Sequence, residues 1–153
     1  IKAVGVFVNE PLELIADHSK KNIIDVVQLH GDEDNDYISK VKSMTGKPVI
    51  KAVRVQSTQQ ILQAEKLNCD YLLLDTYKKS AYGGVGESFN WQLIPTALKK
   101  PFFLAGGLNT ENVETAIKTV QPYCVDVSSG VETDGFKDEK KIRNIIEKVR
   151  RTY

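Results

Sequence analysis

Residues 71–76 read YLLLDT, an apolar run that stops on a carboxylate. A tyrosine and three leucines suit a strand buried on both faces, where an isolated charge is expensive. Asp75 is therefore the first candidate for chemistry. A carboxyl group held against an apolar wall has its pKa raised, which suits a general acid. The run continues into TYKKSAYGGVGESFNW, a long stretch carrying three glycines, of the kind that often covers an active site. A helix cap, or an ion pair with Lys78 or Lys79, would be the plainer explanation of Asp75. Its position at a strand end before such a loop favours the acid.

Two later stretches look built for an anion. In LAGGLNTENV, Gly106 and Gly107 let backbone amides approach a ligand closely, and a helix capped near Asn109 turns its positive end toward them. In VDVSSGVET, Ser128, Ser129 and Gly130 offer hydroxyls and amides at the end of another apolar run. Either stretch alone could be an ordinary tight turn. As a pair in consecutive final units they point to a phosphate. Asp126, inside VDV, faces away from its flanking valines and either orients a ligand hydroxyl or pairs with a nearby lysine. His30 closes VVQLHG, and only that strand-end position separates it from a structural histidine; His18, midway along a helix, lacks even that.

Other chemistries find little support. Two histidines and two cysteines are scattered without metal-ligand spacing. The GGVG at 83–86 follows no strand directly and is weak evidence for a nucleotide. Cys69 and Cys124 belong to no CxxC and read as small core residues of a reducing compartment, the cytoplasm. A formal net charge of +1 supplies no basic stripe for nucleic acid, and no apolar stretch approaches the roughly 20 residues of a membrane span.

The elements that must position these groups alternate regularly. Apolar runs at 3–8, 25–29, 48–53, 71–75, 101–105 and 124–127 read as strands. Between most of them lie helical patterns: PLELIADHSKK, NDYISKVKSMTG ending at Gly46, STQQILQAEKL opening on Ser57 or Thr58, NTENVETAIKTV and DEKKIRNIIEKVRR. The order is six βα units in one α/β domain, 1–153, with parallel strands. A doubly wound sheet and a TIM barrel both use this order. Neighbouring strands lie about 4.8 Å apart, so an open sheet would spread the polar strand ends over some 24 Å. A curved barrel would gather them at one mouth, which favours the barrel.

In order along the chain, VGVFVN, VQLHG, LLLDT…YGGVGESFNW, LAGGLNTENV and VDVSSGVE…KDEKKI resemble phosphoribosylanthranilate isomerase of tryptophan biosynthesis. The resemblance implies a (βα)8 barrel that carries out an Amadori rearrangement of N-(5-phosphoribosyl)anthranilate to 1-(2-carboxyphenylamino)-1-deoxyribulose 5-phosphate, with no cofactor. It makes Asp75 the general acid that protonates the furanose ring oxygen. It assigns Gly106, Gly107, Ser128, Ser129 and Gly130 to the phosphate, and puts Asp126 and His30 at the active-site mouth. The family's general base, a cysteine in a KICG-like motif on the first strand, has no counterpart here, nor does the arginine of the second-strand region that holds the anthranilate carboxylate. Val85 and Asn90 stand where the family usually has a small hydroxyl residue and Asp, substitutions expected to be tolerated.

The chain opens on IKAVGVFVN, directly inside a strand. The expectation is a chain equivalent to units three to eight, inactive alone, with strand edges that favour homo-oligomers. Two other readings remain: a non-catalytic phosphate-sugar binding or interaction domain, and a different ribose-phosphate barrel such as indole-glycerol-phosphate synthase. The latter would use lysine and glutamate groups. Lys51 lies in a strand, but no matching glutamate is evident at a strand end.

Overall fold

The computed structural model describes residues 1–77 and 88–153. Six strands form one parallel sheet: β1 (Val4–Phe7), β2 (Val26–Leu29), β3 (Val49–Val55), β4 (Tyr71–Thr76), β5 (Phe102–Leu104) and β6 (Cys124–Val125). Their spatial order is their chain order, β1 to β6, with every neighbour parallel. A doubly wound sheet reverses its order at a switch point, and this one does not. The sheet winds in a single direction, as a barrel wall does.

Helices α1 (Leu12–Lys20), α2 (Asn35–Thr45), α3 (Thr58–Ala64), α4 (Val113–Val120) and α5 (Glu139–Thr152) provide the outer layer. Their starts follow local chemistry. Pro11 is the N-cap of α1, its ring fixing φ at −58° while ψ stays extended at 139°, so the helix begins at the next residue. Asp34 and Ser57 accept hydrogen bonds from the amides of Tyr37 and Gln60, and Asp138 accepts from those of Lys140 and Lys141. Gly46 closes α2 in the left-handed conformation. The main core lies between sheet and helices, where Val27, Leu29, Val49, Leu72, Leu74 and Leu104 meet Ile15, Ile38, Val41 and Ile61. The other sheet face carries a smaller cluster of Ile50, Ala52, Leu73 and Ala105.

Three features depart from the expected pattern. Between β4 and β5 the described residues hold only a short 3-10 helix, Trp91–Leu93, so that unit lacks an α-helix among them. Asn90 caps this turn by accepting from the amide of Gln92 at 3.0 Å, a task that needs one carbonyl oxygen and that Asn performs as well as Asp. Between β6 and α5 lies an antiparallel hairpin, β7 (Glu132–Thr133) and β8 (Phe136–Lys137), turning at Asp134–Gly135 with positive φ at both residues. The Asp-Gly pair is a strong hairpin signal that the strand-and-helix pattern obscured. Finally, β3 runs on to Val55, two residues past its expected end. The GGVG stretch, Val85, Lys78 and Lys79 fall outside the described residues.

Candidate functional site

The strand ends converge as a curled sheet requires. Asp75 and Arg54 pair in register on β4 and β3, so both leave the same face of the sheet. His30 follows β2, and its Nε2 lies 3.5 Å from Asp75 Oδ2, with the two side chains 21% and 29% exposed. The Gln28 amide donates to His30 Nδ1 at 3.1 Å, which directs the Nε2 proton of a neutral imidazole toward Asp75. The other Asp75 oxygen, Oδ1, accepts from the amide of Thr76 at 2.7 Å.

Asp126 stands just past β6, where its amide still bonds the Leu104 carbonyl at 2.8 Å. Asp126 is solvent-exposed, but the atoms packed around its carboxyl partly desolvate it and raise it above the ordinary range, the nearby Asp75 charge raises it further, and His30 and Lys137 offset part of this. Asp75, His30 and Asp126 thus share one electrostatic neighbourhood. The two charges oppose one another, and the group this raises is Asp126.

The glycine loops sit against this cluster. Gly106 has a φ of +80°, and a side-chain carbon there would lie 2.2 Å from Thr76 Oγ1 and 2.9 Å from Asp75 Oδ1. Only glycine fits both the backbone angle and that approach. At Gly130 the same addition would lie 1.8 Å from the Leu108 carbonyl, so the second loop packs directly on the first. Asn109 closes the first loop: its side chain accepts from the amides of Glu111 and Asn112, while Asn112 accepts from Asn109 and donates to the Gly107 carbonyl. The regular helix then begins at Val113, later than its capping residue. Because Asn109 takes those helical amides, the amides left to meet an anion are those of Gly106 and Gly107, which have no partner among the described residues. Across from them Lys137 binds the Ser128 carbonyl at 2.9 Å and its hydroxyl at 3.2 Å.

Two groups were not legible as a site. Lys51 is buried in β3 and gives its three protons to the Leu29 carbonyl, the Gly31 carbonyl and Glu33 Oε2. A glutamate does follow a strand end, since Glu33 lies beyond β2, but the pair is saturated. Its side chains are 8% and 1% exposed. Burial opposes a charged Glu33, yet hydrogen bonds from the Asn9 amide and from Lys51 outweigh it and hold the carboxyl below the usual range. That leaves no lysine at this place for chemistry of the indole-glycerol-phosphate synthase kind. Arg54 was missed because the strand was expected to stop at Val53.

Burial pushes both the Cys69 and Cys124 thiols up, which disfavours the thiolate a base would need. Among the described residues no cluster of three His, Cys, Asp or Glu could hold a metal ion. Among them, too, no helix is long and apolar enough to cross a membrane.

Comparison with known proteins agrees with this geometry. The model of the N-(5'phosphoribosyl)anthranilate (PRA) isomerase family matches residues 1–148. The N-(5'-phosphoribosyl)anthranilate isomerase of Lachnoclostridium phytofermentans is 49% identical over 158 residues, covering 95% of this chain and 72% of that protein. The crystal structure of the Thermotoga maritima phosphoribosyl anthranilate isomerase superposes with a TM-score of 0.83 at 40% identity, over 98% of this chain and 73% of that one. A further isomerase structure, in complex with reduced 1-(o-carboxyphenylamino)-1-deoxyribulose 5-phosphate, gives 0.80 at 36% identity over 98% of this chain and 72% of that one. With the family model matching residues 1–148 and a relative 49% identical over most of both chains, this chain belongs to the N-(5'-phosphoribosyl)anthranilate isomerase family.

Proposed function

We propose that residues 1–153 act as units three to eight of a (βα)8 barrel and supply the acid-and-phosphate side of a phosphoribosylanthranilate isomerase site. The observation that carries this reading is the contact between the Gly106 loop and Asp75. A Gly106 loop packed against Thr76 and Asp75 supports reading the loop and the carboxyl as neighbouring parts of one site. In this role the amides of Gly106 and Gly107, with Ser128, Ser129 and Gly130, hold the phosphate. Asp75 gives its proton to the furanose ring oxygen as the bond from that oxygen to C1′ breaks, leaving a protonated Schiff base. Loss of the C2′ proton to a base then gives the enolamine, which tautomerises to the amino ketone. His30 fixes the orientation of the Asp75 carboxyl, and Asp126 binds a sugar hydroxyl.

The base is the cysteine that the resemblance puts on a first strand, outside these 153 residues. Two open sheet edges support the assignment of units. At one edge Val4, Val6 and Val8 of β1 and its end are exposed. At the other a largely apolar groove of about 700 Å³ runs between β6 and α5, lined by Val125, Val131, Ile142, Ile146 and Val149 among others. Both are suited to receive a further strand and helix. Self-association through the same edges is the expected behaviour of the chain alone. A cytoplasmic location fits the free cysteines Cys69 and Cys124.

The test is complementation in vitro. The 153-residue chain is assayed alone and with a separately produced segment carrying two βα units and the cysteine. Turnover only in the mixture is expected; turnover at enzyme-like rates by the chain alone would falsify the division of the site.

A further inference from the structure

A βα unit needs no strand pair between its strand and its helix, yet β7 and β8 stand between β6 and α5. The turn at Asp134–Gly135 pairs Lys137 with Glu132 and brings the lysine, nine residues on, back to Ser128. Its Nζ donates to the Ser128 carbonyl at 2.9 Å, the Ser128 hydroxyl at 3.2 Å and Glu132 Oε1 at 2.7 Å, so every proton has an acceptor. Other bonds hold the hairpin without that lysine. Thr133 Oγ1 donates to Asp138 Oδ2 at 2.8 Å, Lys141 to the Glu132 carbonyl at 2.6 Å, and the Asp138 amide to the Val131 carbonyl at 2.8 Å.

What the lysine changes is Ser128. A serine at the start of a helical turn ordinarily lends its oxygen to the amides of that turn. Ser128 opens the 3-10 turn Ser129–Val131 and makes no such bond. An ammonium can only donate, so Ser128 Oγ accepts from Lys137 and must place its own proton elsewhere. The Ser128 carbonyl cannot take that proton, because Lys137 and the Val131 amide already fill it. Beside it the amides of Ser129 and Gly130 have no acceptor among the described residues. One hydroxyl and two amides thus remain as donors at one bend, with an ammonium bonded to the same serine.

We infer that Lys137 is a positioning residue for the phosphate: from behind the loop it commits the Ser128 hydroxyl to donate to the anion, and it lends the loop a positive charge without touching the ligand. This rests on reading Ser128, Ser129 and Gly130 as part of the phosphate cradle. It also gives the hairpin a task, which is to carry a cation back to that loop.

Calorimetry of the 153-residue chain with reduced 1-(o-carboxyphenylamino)-1-deoxyribulose 5-phosphate tests it. Lys137→Met is expected to weaken binding about 10- to 100-fold, the worth of charge-assisted hydrogen bonds, and to lower the melting temperature by no more than about 4 °C. Lys137→Arg should recover most of the loss. Glu132→Gln removes the cross-strand ion pair but neither bond to Ser128, and should stay within about twofold of the unsubstituted chain. Ser128→Ala leaves the hairpin's own bonds in place and should lose about 5- to 20-fold, so it carries the test if Lys137→Met does not fold. Unchanged affinity in folded Lys137→Met or in Ser128→Ala overturns the inference. So does an equal loss in Lys137→Met and Glu132→Gln, which would make the lysine a brace for the hairpin alone. Failure of the unsubstituted chain to bind the analogue overturns the phosphate reading itself, and this inference with it; the two failures are therefore read from different samples.

Discussion

Two charged clusters share the rim of this sheet and are built in opposite ways. Lys51 and Glu33 meet at 3.0 Å behind β3, almost without solvent, and every Lys51 proton has an acceptor. Glu33 also takes the amides of Asn9 and Gly31, tying the ends of β1 and β2 together. His30 and Asp75 stand at 3.5 Å, a long contact, with partial solvent access and a second carboxylate nearby. The first cluster uses its charges to hold loops. The second leaves them able to exchange a proton. Exposure and saturation, more than charge, separate the structural cluster from the chemical one.

The largest effect that would test this difference is Asp75→Asn. In the complemented enzyme it should cut kcat by about 10²- to 10⁴-fold, the usual contribution of a positioned general acid. The melting temperature should barely move, since the side chain is partly exposed. A variant that keeps its rate would transfer the acid role elsewhere, and one that unfolds would put Asp75 in the same class as Glu33.

Lys51→Met reverses the expectation. Removing one partner of a buried pair leaves the other charge uncompensated, typically at a cost of about 3–5 kcal/mol. Urea denaturation should show that loss, while affinity for a phosphate-bearing analogue in the surviving folded fraction stays near normal. The double variant Lys51→Met with Glu33→Leu should recover part of the stability. If Lys51→Met is harmless, the pair is not what ties β1, β2 and β3 together.

A third, smaller effect separates the glycines. Gly106→Ala must adopt a positive φ and also displaces Thr76 beside the acid. At Gly46 φ is also positive, +62°, but nothing lies within 4 Å of an added carbon. Gly46→Ala should cost about 1 kcal/mol of stability and no affinity. Gly106→Ala should lose phosphate binding as well. Equal behaviour of the two would mean that the Gly106 loop has no part in the site.

These contrasts also explain how far the sequence could be read. Asp75 was visible because a charge ended an apolar run, and the phosphate loops because Gly-Gly and Ser-Ser-Gly followed consecutive strands. The Lys51–Glu33 pair was hidden. Glu33 lies in GDEDND among several carboxylates of equal standing, and only the packing of β1 to β3 decides which is buried. Arg54 was hidden by a two-residue error in the end of β3, since strand length is set by its partner β4 more than by its own residues. The hairpin at Asp134–Gly135 had a legible signal that the alternation of strands and helices masked.

The smallest effect is the most direct comparison of the two clusters, because their carboxylates titrate in opposite senses. Glu33 is held below the ordinary range in the folded state, so its contribution is present above the unfolded pKa, near pH 4, and is lost as the pH falls through the folded value. Asp126 is raised, by partial desolvation first and by Asp75 second, so its contribution is full below the unfolded pKa and is lost as the pH rises through the folded one, and its exposure to solvent keeps the effect small. Asp126→Asn removes that penalty and should make the protein slightly more stable at pH 7 than at pH 4, relative to the unsubstituted chain. Glu33→Gln should do the reverse, losing most stability at pH 7, less as the pH falls below 4, and little once it is below the folded pKa. Urea midpoints measured across this range check both signs. If Asp126→Asn destabilises at neutral pH, Asp126 belongs with the saturated charges of the Glu33 kind.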